Sequence, residues 1–369
     1  MVSGYAPPVT VTQLNPLAAA PAASALVPPA PGSAVPDAAR PIAPATAIGT
    51  ATAHTSSGNP QPPPVPQPAS TPQAALSQMM QVAIPRQGPI TALTTALSTI
   101  AGKVVVPEPV ARAAQQVLAS RLPLDGARFD GSTLQAAIRS SGIFQEASLA
   151  RGQIPLQQGD IKSTLLTLRQ ALTSWLGQQA PVTPVARIPP PLRGAVPRAR
   201  PAEMLPMDPS AAPEEVGRQL LERTEAALAR IRLHQHASLP DPAGRTADWS
   251  MDLPVMVGAH QTLLQLQIHR DQHKDLRATE ERGWQMRFAI NLPGLGEIGA
   301  QVSLRGNAVG VMLWAAEPGT SSALEAGIGA LREALAEAGL QPGAVIVRHG
   351  EPPAPATPAP SGHFVDARS

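Results

Sequence analysis

Residues 293–304 read PGLGEIGAQVSL, and the glycines in this stretch are spaced as G-x-G-x-x-G. In a dinucleotide-binding unit this motif follows a strand and opens a helix, because the helix N-terminus supplies the amide groups that hold the pyrophosphate. Here every second residue from Ile298 to Leu304 is apolar, and the residues between them are small or polar. A period of two is typical of a strand. The motif therefore predicts a connection between two strands, and no cofactor.

The strand pattern continues on both sides of this stretch. Apolar residues alternate with polar ones over 249–253, 264–268 and 284–292, and again over 309–313 after the turn residues RGNA at 305–308. Segments of this kind, separated by turn residues, predict neighbouring antiparallel strands. The same region therefore contains enough strands for a sheet.

A helix is predicted after these strands, between a capping box at Ser322–Glu325 and a C-cap glycine at Gly339. Its apolar stripe consists of Leu324, Ile328, Leu331 and Leu335. A short strand follows at 345–347. We therefore predict an α+β C-terminal domain over residues 247–350, with a mostly antiparallel sheet and one packed helix.

The N-terminal region has a different composition. Residues 1–102 contain Asp37, Arg40 and Arg86 as their only charged residues and are otherwise rich in Pro, Ala, Thr, Ser and Gln. Such a segment buries too little apolar surface to offset its ordering entropy, so we predict a long disordered Pro/Ala-rich spacer. About 100 extended residues would reach about 300 Å. The proline run at 58–73 could also dock into an SH3-type groove, but a plain spacer is the simpler interpretation.

Residues 103–180 are predicted to form a small all-α module. A capping box at Ser132–Gln135 opens one helix, and another begins at Asp160 and ends at Gly177. The apolar stripe of this last helix consists of Ile161, Leu165, Leu168, Leu172, Trp175 and Leu176. A module of this size is marginal by itself.

Three further segments complete the predicted organisation. Residues 181–208 read as a solvated Pro/Arg-rich linker, because the arginines of 186–201 have no interleaved aromatic residues on which nucleic-acid bases would stack. Residues 209–240 predict an amphipathic helix, with acidic residues in its first turn. Residues 351–369 predict a disordered tail.

No catalytic or metal site is predicted. The chain has no cysteine, which excludes disulfides and thiolate ligands. His269 and His273 have a spacing that could place two ligands on a helix, but their context is the end of a strand followed by a polar loop. The acidic residues of that loop read as hydrated surface groups: Asp271, Asp275, Glu280 and Glu281. No nucleophile elbow, phosphate-binding loop or zinc-protease motif is present, so we predict that the protein is not an enzyme.

Charge and hydropathy also limit the partners. The formal net charge is +2, and arginine dominates the positive residues, with lysine only at 103, 162 and 274. This bias does not indicate nucleic acid. No apolar run approaches the roughly 18 residues that span a bilayer, so no membrane insertion is predicted. The N-terminal MVSGYAPPVTVTQLNP lacks the charged and apolar regions of a signal peptide, so any export would use a route without a cleaved signal.

The C-terminal domain resembles the flagellar hook-length control protein family. The resemblance rests on WQMRFAINLPGLGEIGAQVSL at 284–304 and on the helix ending in LREALAEAGL at 331–340. The stretch from 140 to 172 also resembles the central region of long family members. One departure stands out: many members have Pro-Glu-x-Leu-Gly at the turn, whereas this chain has Pro293-Gly294-Leu295-Gly296, without the acid.

The resemblance implies a function. It implies a cytoplasmic protein that is exported unfolded through the flagellar type III apparatus, whose extended N-terminal part senses hook length and meets hook or hook-cap subunits. Its C-terminal domain would contact the cytoplasmic domain of the export gate and switch export from hook to filament subunits. The residues to which this partner contact carries over are Leu292, Pro293, Leu295, Gly296, Ile298, Val302 and Leu335. Core positions are the alternative, above all for Val302, and a cytoplasmic adaptor with disordered tethers is the alternative function.

Overall fold

The computed structural model describes residues 71–124, 129–152, 159–177, 184–186, 188–192, 195–199, 207–239, 248–270 and 283–352. These residues all belong to one unit of the chain, Gln67–Ser369. The predictions for residues 1–70, for His273 and the acidic loop at 271–281, and for 353–369 lie outside the described residues.

The helices of the described part are α1 Pro72–Ala83, α2 Ile90–Ile100, α3 Glu108–Ala119, α4 Gly131–Arg139, α5 Gln145–Ala150, α6 Ile161–Leu176, α7 Pro213–Ala237, α8 Pro318–Ala326 and α9 Ile328–Glu337. The strands are β1 Leu122–Pro123, β2 Asp248–Val257, β3 His260–Arg270, β4 Trp284–Leu292, β5 Gly296–Arg305, β6 Ala308–Ala315 and β7 Gln341–His349. The helices α1 to α7 come first along the chain, with β1 between α3 and α4. Strands β2 to β7 follow, with α8 and α9 between β6 and β7.

The strands form one seven-stranded sheet in the order β1 to β7. Strands β2 to β6 pair antiparallel, while the outer pairs β1–β2 and β6–β7 are parallel. The residues after Gly299 continue a strand and do not open a helix, because Ala300 pairs with Phe288 on β4 and Leu313 on β6. The predicted α+β class with a mostly antiparallel sheet is therefore confirmed.

Helices α2, α3, α6 and α7 share one apolar core. The α6 stripe packs inward as predicted, with Leu165, Leu168 and Leu172 fully buried. Helix α7 contributes Leu220 and Leu228 to the same core, and it also contacts β2. The predicted amphipathic helix at 209–240 is therefore the element that joins the helical part to the sheet.

The structure differs from the predicted boundary of the spacer. Residues 72–100, placed in the spacer on composition, form α1 and α2. Helix α2 has no charged residue, but its residues Leu93, Ala96, Leu97 and Ile100 recur at helical spacing. They are buried in one cluster with residues of α3, α6 and α7. Packing of these four apolar side chains stabilises the helix, even though the overall composition of the segment resembles that of a disordered spacer.

Helices cover the apolar face of the sheet at two places. Near β2 the apolar residues pack against Leu134, Ala137 and Ile138 of α4, and near β7 they pack against α9 through Ile328 and Leu331. The helix predicted before the last strand is broken at Gly327 into α8 and α9. The sheet thus has helical cover on its apolar face at both ends.

Two predicted helix caps are wrong and three are confirmed. Asp130, not Ser132, caps α4, since its carboxylate accepts from the Thr133 N–H at 2.7 Å. Ser322 lies inside α8, which begins at Pro318 because proline fits the first turn of a helix. The confirmed caps are Asp160 at the start of α6, Gly177 at its end, and Gly339 after α9.

Candidate functional site

The hairpin between β4 and β5 holds most of the residues that the resemblance marks for partner contact. Leu292 at the end of β4 pairs with Gly296 at the start of β5, so residues 293–295 form the turn. The Leu295 N–H donates to the Leu292 carbonyl at 3.1 Å, and Gly294 and Gly296 have φ angles of 77° and 76°. Positive φ is costly for residues with a Cβ, which explains these two glycines without any bound phosphate.

Helix α8 braces the turn from one side. The Thr320 hydroxyl donates to the Leu295 carbonyl at 2.7 Å, which ties the first turn of α8 to the hairpin. A Cβ added at Gly296 would lie 2.9 Å from Cγ of Glu317, the residue that precedes α8. The Leu295 side chain nevertheless remains 43% exposed. The exposed Leu295 side chain is thus carried by a turn whose backbone is fixed by the pairing of β4 with β5 and by the hydrogen bond from Thr320.

Gly296→Ala should lower the free energy of unfolding by about 2 kcal/mol, because a left-handed alanine costs about 1–2 kcal/mol and the methyl group meets Glu317. Urea denaturation followed by circular dichroism measures the difference. Gly329→Ala is the matched control, since Gly329 lies inside α9 with no atom within 4 Å of an added Cβ. Alanine is the better helix former there, so the control should be neutral or stabilising. Equal effects of the two substitutions would contradict the role assigned to Gly296.

The structure separates the predicted contact residues into two groups. Leu292, Pro293, Leu295, Gly296 and Ile298 lie together at the hairpin, although the Ile298 side chain is buried in the sheet core. Pro293 and Leu295 are the exposed members of this group. Direct contact with a partner stays a prediction for all of them.

Val302 and Leu335 form the second group, away from the turn. Both pack against the buried cluster of Val309, Val311 and Val345, where β5, β6 and β7 meet α9. Both side chains are partly buried. Both residues therefore lie where they pack within the domain. For Val302, a core position was the alternative that the sequence analysis gave.

The segment predicted as a solvated linker is instead bound to the fold. We call residues 184–199 the strap, of which 184–186, 188–192 and 195–199 are described. Arg198 makes a two-pronged ion pair with Glu297, at 3.1 and 3.2 Å, and a third contact with Glu351 at 2.9 Å. These carboxylates, Glu351 first, hold the pKa of Arg198 above its usual range. Partners from β5 and beyond β7 are distant in sequence, so the linker composition alone did not reveal them.

A charged network lies buried between α7 and β2, and the sequence analysis did not find it. Arg230 Nε donates to Asp252 Oδ2 at 2.6 Å, and His234 Nε2 lies 3.1 Å from the same oxygen. The other ring nitrogen of His234 is 3.0 Å from the Ser250 hydroxyl. The one sequence signal was that Arg230 and His234 stand at i and i+4 beside the apolar stripe of α7.

Two opposing effects act on the Asp252 carboxylate. Burial raises its pKa, but the neighbouring Arg230 and His234 side chains lower the pKa by more, so it lies well below its usual range. Asp252 is therefore ionised and paired with Arg230 at neutral pH. Ser250, His234 and Asp252 are residue types of a hydrolase triad, but here the carboxylate is neutralised by an arginine, and the network reads as a structural one.

A cavity of about 400 Å³ lies beside this network. Its walls come from the strap, from α7 and from strands β2 to β4, and they include Arg230, Asp252, Gln265, Gln267 and Asn291. Gln267 is buried, and its Oε1 atom has no hydrogen-bond partner. The cavity is thus lined by side-chain amides on one side and by the prolines of the strap on the other.

The predicted histidine pair is only partly described. His269 is the second-last residue of β3 and contacts Asp248, with 2.7 Å between Nδ1 and Oδ1. Over the described ranges, no group of three or more His, Asp or Glu side chains is placed to hold a metal ion. No helix among these same residues has both the length and the hydropathy of a membrane span.

Residues 272–356 match the family model of the flagellar hook-length control protein FliK. The matched region contains β4 to β7 with α8 and α9, and therefore the hairpin described above. The resemblance is confirmed for this C-terminal region, and the match supports a role in flagellar hook-length control. The predicted likeness of residues 140–172 stays a prediction. No curated protein and no solved structure gave a significant match.

Proposed function

We propose that this chain is a secreted flagellar hook-length control protein whose C-terminal domain switches export from hook to filament subunits. The observation that carries the proposal is the family match over residues 272–356, which coincides with β4 to β7 and the helices between them. This region also contains helices α8 and α9, which pack on its own strands β6 and β7. The partner would be the cytoplasmic domain of the export gate.

The β4–β5 hairpin is the contact that we assign to this partner. A few exposed anchors on a rigid backbone contribute most of the free energy of a typical protein interface. Leu295 and Pro293 are exposed, while Thr320 and the strand pairing hold the turn in one conformation. Little conformational entropy would be lost when such a turn binds, which favours it over the packed residues Val302 and Leu335.

The N-terminal composition supports the export part of the proposal. Residues 1–102 have few charges, and the chain has no cysteine whose disulfide would impede passage through a narrow channel. In this proposal the N-terminal region reports hook length, with hook or hook-cap subunits as its contacts. Export would follow the flagellar type III route.

Deleting the gene should give cells with overlong hooks and no filaments, because the switch to filament export would fail. Electron microscopy of the deletion strain measures both features, and normal filaments would refute the proposal. Fractionation separates the rival function, since a cytoplasmic adaptor would never be found in the culture medium of cells with an active export system.

Leu295→Asp should weaken binding to the export gate by about thirtyfold, the effect of losing a contact worth about 2 kcal/mol, and should abolish filaments. The stability of the chain should change by less than about 0.5 kcal/mol, because the side chain is largely exposed. Titration against the purified gate domain and counting of filaments give the two readouts. Leu149→Asp, at a 54% exposed leucine on α5, is the control and should leave both unchanged. Normal filaments with Leu295→Asp would contradict the assignment of the hairpin.

A further inference from the structure

The strap is held mainly through its backbone, by side chains of the surrounding fold. Gln87 donates to the carbonyl of Ile188, and Arg230 Nη1 donates to the carbonyl of Pro189 at 2.8 Å. At the other end the N–H groups of Arg198 and Ala199 donate to Gln265 and Glu297, at 3.0 and 2.8 Å. The described part of the strap forms no helix and no strand. This is the manner in which extended, proline-rich peptides are bound, since proline offers a carbonyl but no N–H.

The side chains that bind the strap are built into the fold. Gln87 is fully buried and Arg230 is 6% exposed. Arg230 Nη1 also donates to Gln87 Oε1 at 2.7 Å, and Asp252 fixes the other side of the guanidinium. If the strap left, the Gln87 amide would lose its acceptor, and buried donors without acceptors are costly. The site therefore requires a carbonyl-bearing occupant or water.

The two ends of the strap are held more firmly than its middle. Pro190, Leu192 and Val196 border the cavity of about 400 Å³, and Gln267 on its floor has an unpartnered Oε1 atom. The described residues in the middle of the strap therefore lie above the polar face of β2, β3 and β4, with the cavity between them and that face. A segment attached at two ends, one of them a partly exposed ion pair, can be displaced without unfolding the core.

We propose that this face is a peptide-binding groove, that the strap occupies it as an intramolecular ligand, and that its other occupant is a proline-rich segment of a partner protein. The strap defines the chemistry of that segment: an apolar residue followed by prolines, where the carbonyl of the apolar residue meets Gln87 and that of the first proline meets Arg230, and then an arginine that meets Glu297. The strap competes with the partner and so sets the concentration at which the partner binds. Of the groove residues, Gln87, Arg230 and Gln265 lie outside residues 272–356 and Glu297 lies inside them. The peptide test does not involve the export gate or Leu295, so its failure would leave the proposed function standing.

The test uses the full chain and a fluorescent synthetic peptide of residues 184–199. Arg198→Ala in the chain removes the ion pairs of the strap with Glu297 and Glu351 and leaves the groove intact. Peptide binding, measured by fluorescence anisotropy, should be on the order of tenfold tighter for this variant than for the unchanged chain, because less of the groove is occupied by the strap. Equal binding to the two chains, or none to either, would overturn the proposal.

Matched controls identify the groove and the ligand. Adding Glu297→Gln to the Arg198→Ala chain should weaken peptide binding by on the order of tenfold, because the arginine of the peptide loses its carboxylate. A peptide with alanine at 189–191 should also bind more weakly, because it is not preorganised as an extended helix. No loss of binding in either control would count against the groove.

Hydrogen exchange provides a test in the unchanged chain, should the variant fail to fold. Excess peptide should speed amide exchange at Arg198 and Ala199 of the chain, because the displaced strap loses its acceptors Gln265 and Glu297. Unchanged exchange at saturating peptide would overturn the proposal. Sedimentation of the Arg198→Ala chain without peptide tests whether a second copy of the chain supplies the segment that occupies the groove. Dimers would show that it does, and would refute the proposal of a partner protein.

Discussion

Asp252→Ala should lower the free energy of unfolding by about 3–5 kcal/mol, because it leaves a buried arginine without its counter-charge. The side chains of Arg230 and Asp252 are 7% and 6% exposed, so solvent would not replace the missing carboxylate. Arg230 would keep Gln87 and the Pro189 carbonyl, which are neutral partners. Urea denaturation at pH 7 measures the loss.

A surface ion pair provides the control for this effect. Glu108→Ala removes a carboxylate that pairs with Arg112 one turn later on α3, where both side chains are mostly exposed. Its cost should stay well under about 1 kcal/mol. The double variant Arg230→Ala/Asp252→Ala should cost about 1–3 kcal/mol less than the sum of its single variants, because the two residues share one interaction. Additive costs would show that the pair is not coupled.

The pH dependence of the same variant follows from the direction of the Asp252 pKa. A carboxylate whose pKa is depressed by folding contributes stability above its unfolded pKa of about 3.9 and loses it as the pH falls toward the folded value. The pKa of Asp252 is lowered in the fold, where Arg230 and His234 outweigh the effect of burial. The difference between unchanged chain and variant should therefore be constant from pH 7 to about pH 5 and shrink below about pH 4. A difference that grows in acid would contradict this assignment.

The sheet was the part of the fold that the sequence predicted best, because its signals lie close in sequence to the strands and turns that they predict. Alternation over 284–292 and 298–304 follows from one face packing inward, and the hairpin needs glycine at Gly294 and Gly296 because their φ angles are positive. Each of these signals lies within a few residues of the structure it predicts. The same is true of the caps at Asp160 and Gly339.

The parts that the sequence did not predict depend on residues far apart in the chain. Arg198 meets Glu297 and Glu351, and Gln87 meets Ile188, so no local window contains both partners. The composition of residues 181–208 indicated a solvated linker and said nothing of the side chains that bind its described part. Composition likewise placed α2 in a spacer, although its apolar stripe is buried by helices that begin later in the chain.

The candidate site shows the same division. The turn of the hairpin was predictable because the family resemblance and the glycine spacing fall on the same residues. Its brace by Thr320 was not, because α8 begins four residues before the predicted cap at Ser322. The sequence also did not show that Ile298 is buried. Apolar and polar residues alternate in the same way whether the apolar face of a strand packs on the core or contacts a partner protein.

Leu228→Ala should lower the free energy of unfolding by about 3–4 kcal/mol, as expected for a leucine removed from a closely packed core. Leu228 is fully buried on α7, in the cluster that also contains residues of α2, α3 and α6. The substitution removes apolar contacts and leaves a cavity that four helices would have to collapse to fill. Chemical denaturation followed by circular dichroism measures the cost.

The same variant tests whether α7 joins the helices and the sheet into one cooperative unit. Helix α7 packs on α6 and on β2, so weakening it at Leu228 should lower the unfolding midpoint of the helices and of the sheet together. Tryptophan fluorescence follows the sheet through Trp249, Trp284 and Trp314 and the helices through Trp175, and variants with single tryptophans replaced by phenylalanine separate the signals. Leu149→Ala, at an exposed leucine of α5, should shift neither midpoint by more than the error. A Leu228→Ala chain whose helices melt first while its sheet keeps its midpoint would show that two independent units, and not one core joined by α7, hold this fold together.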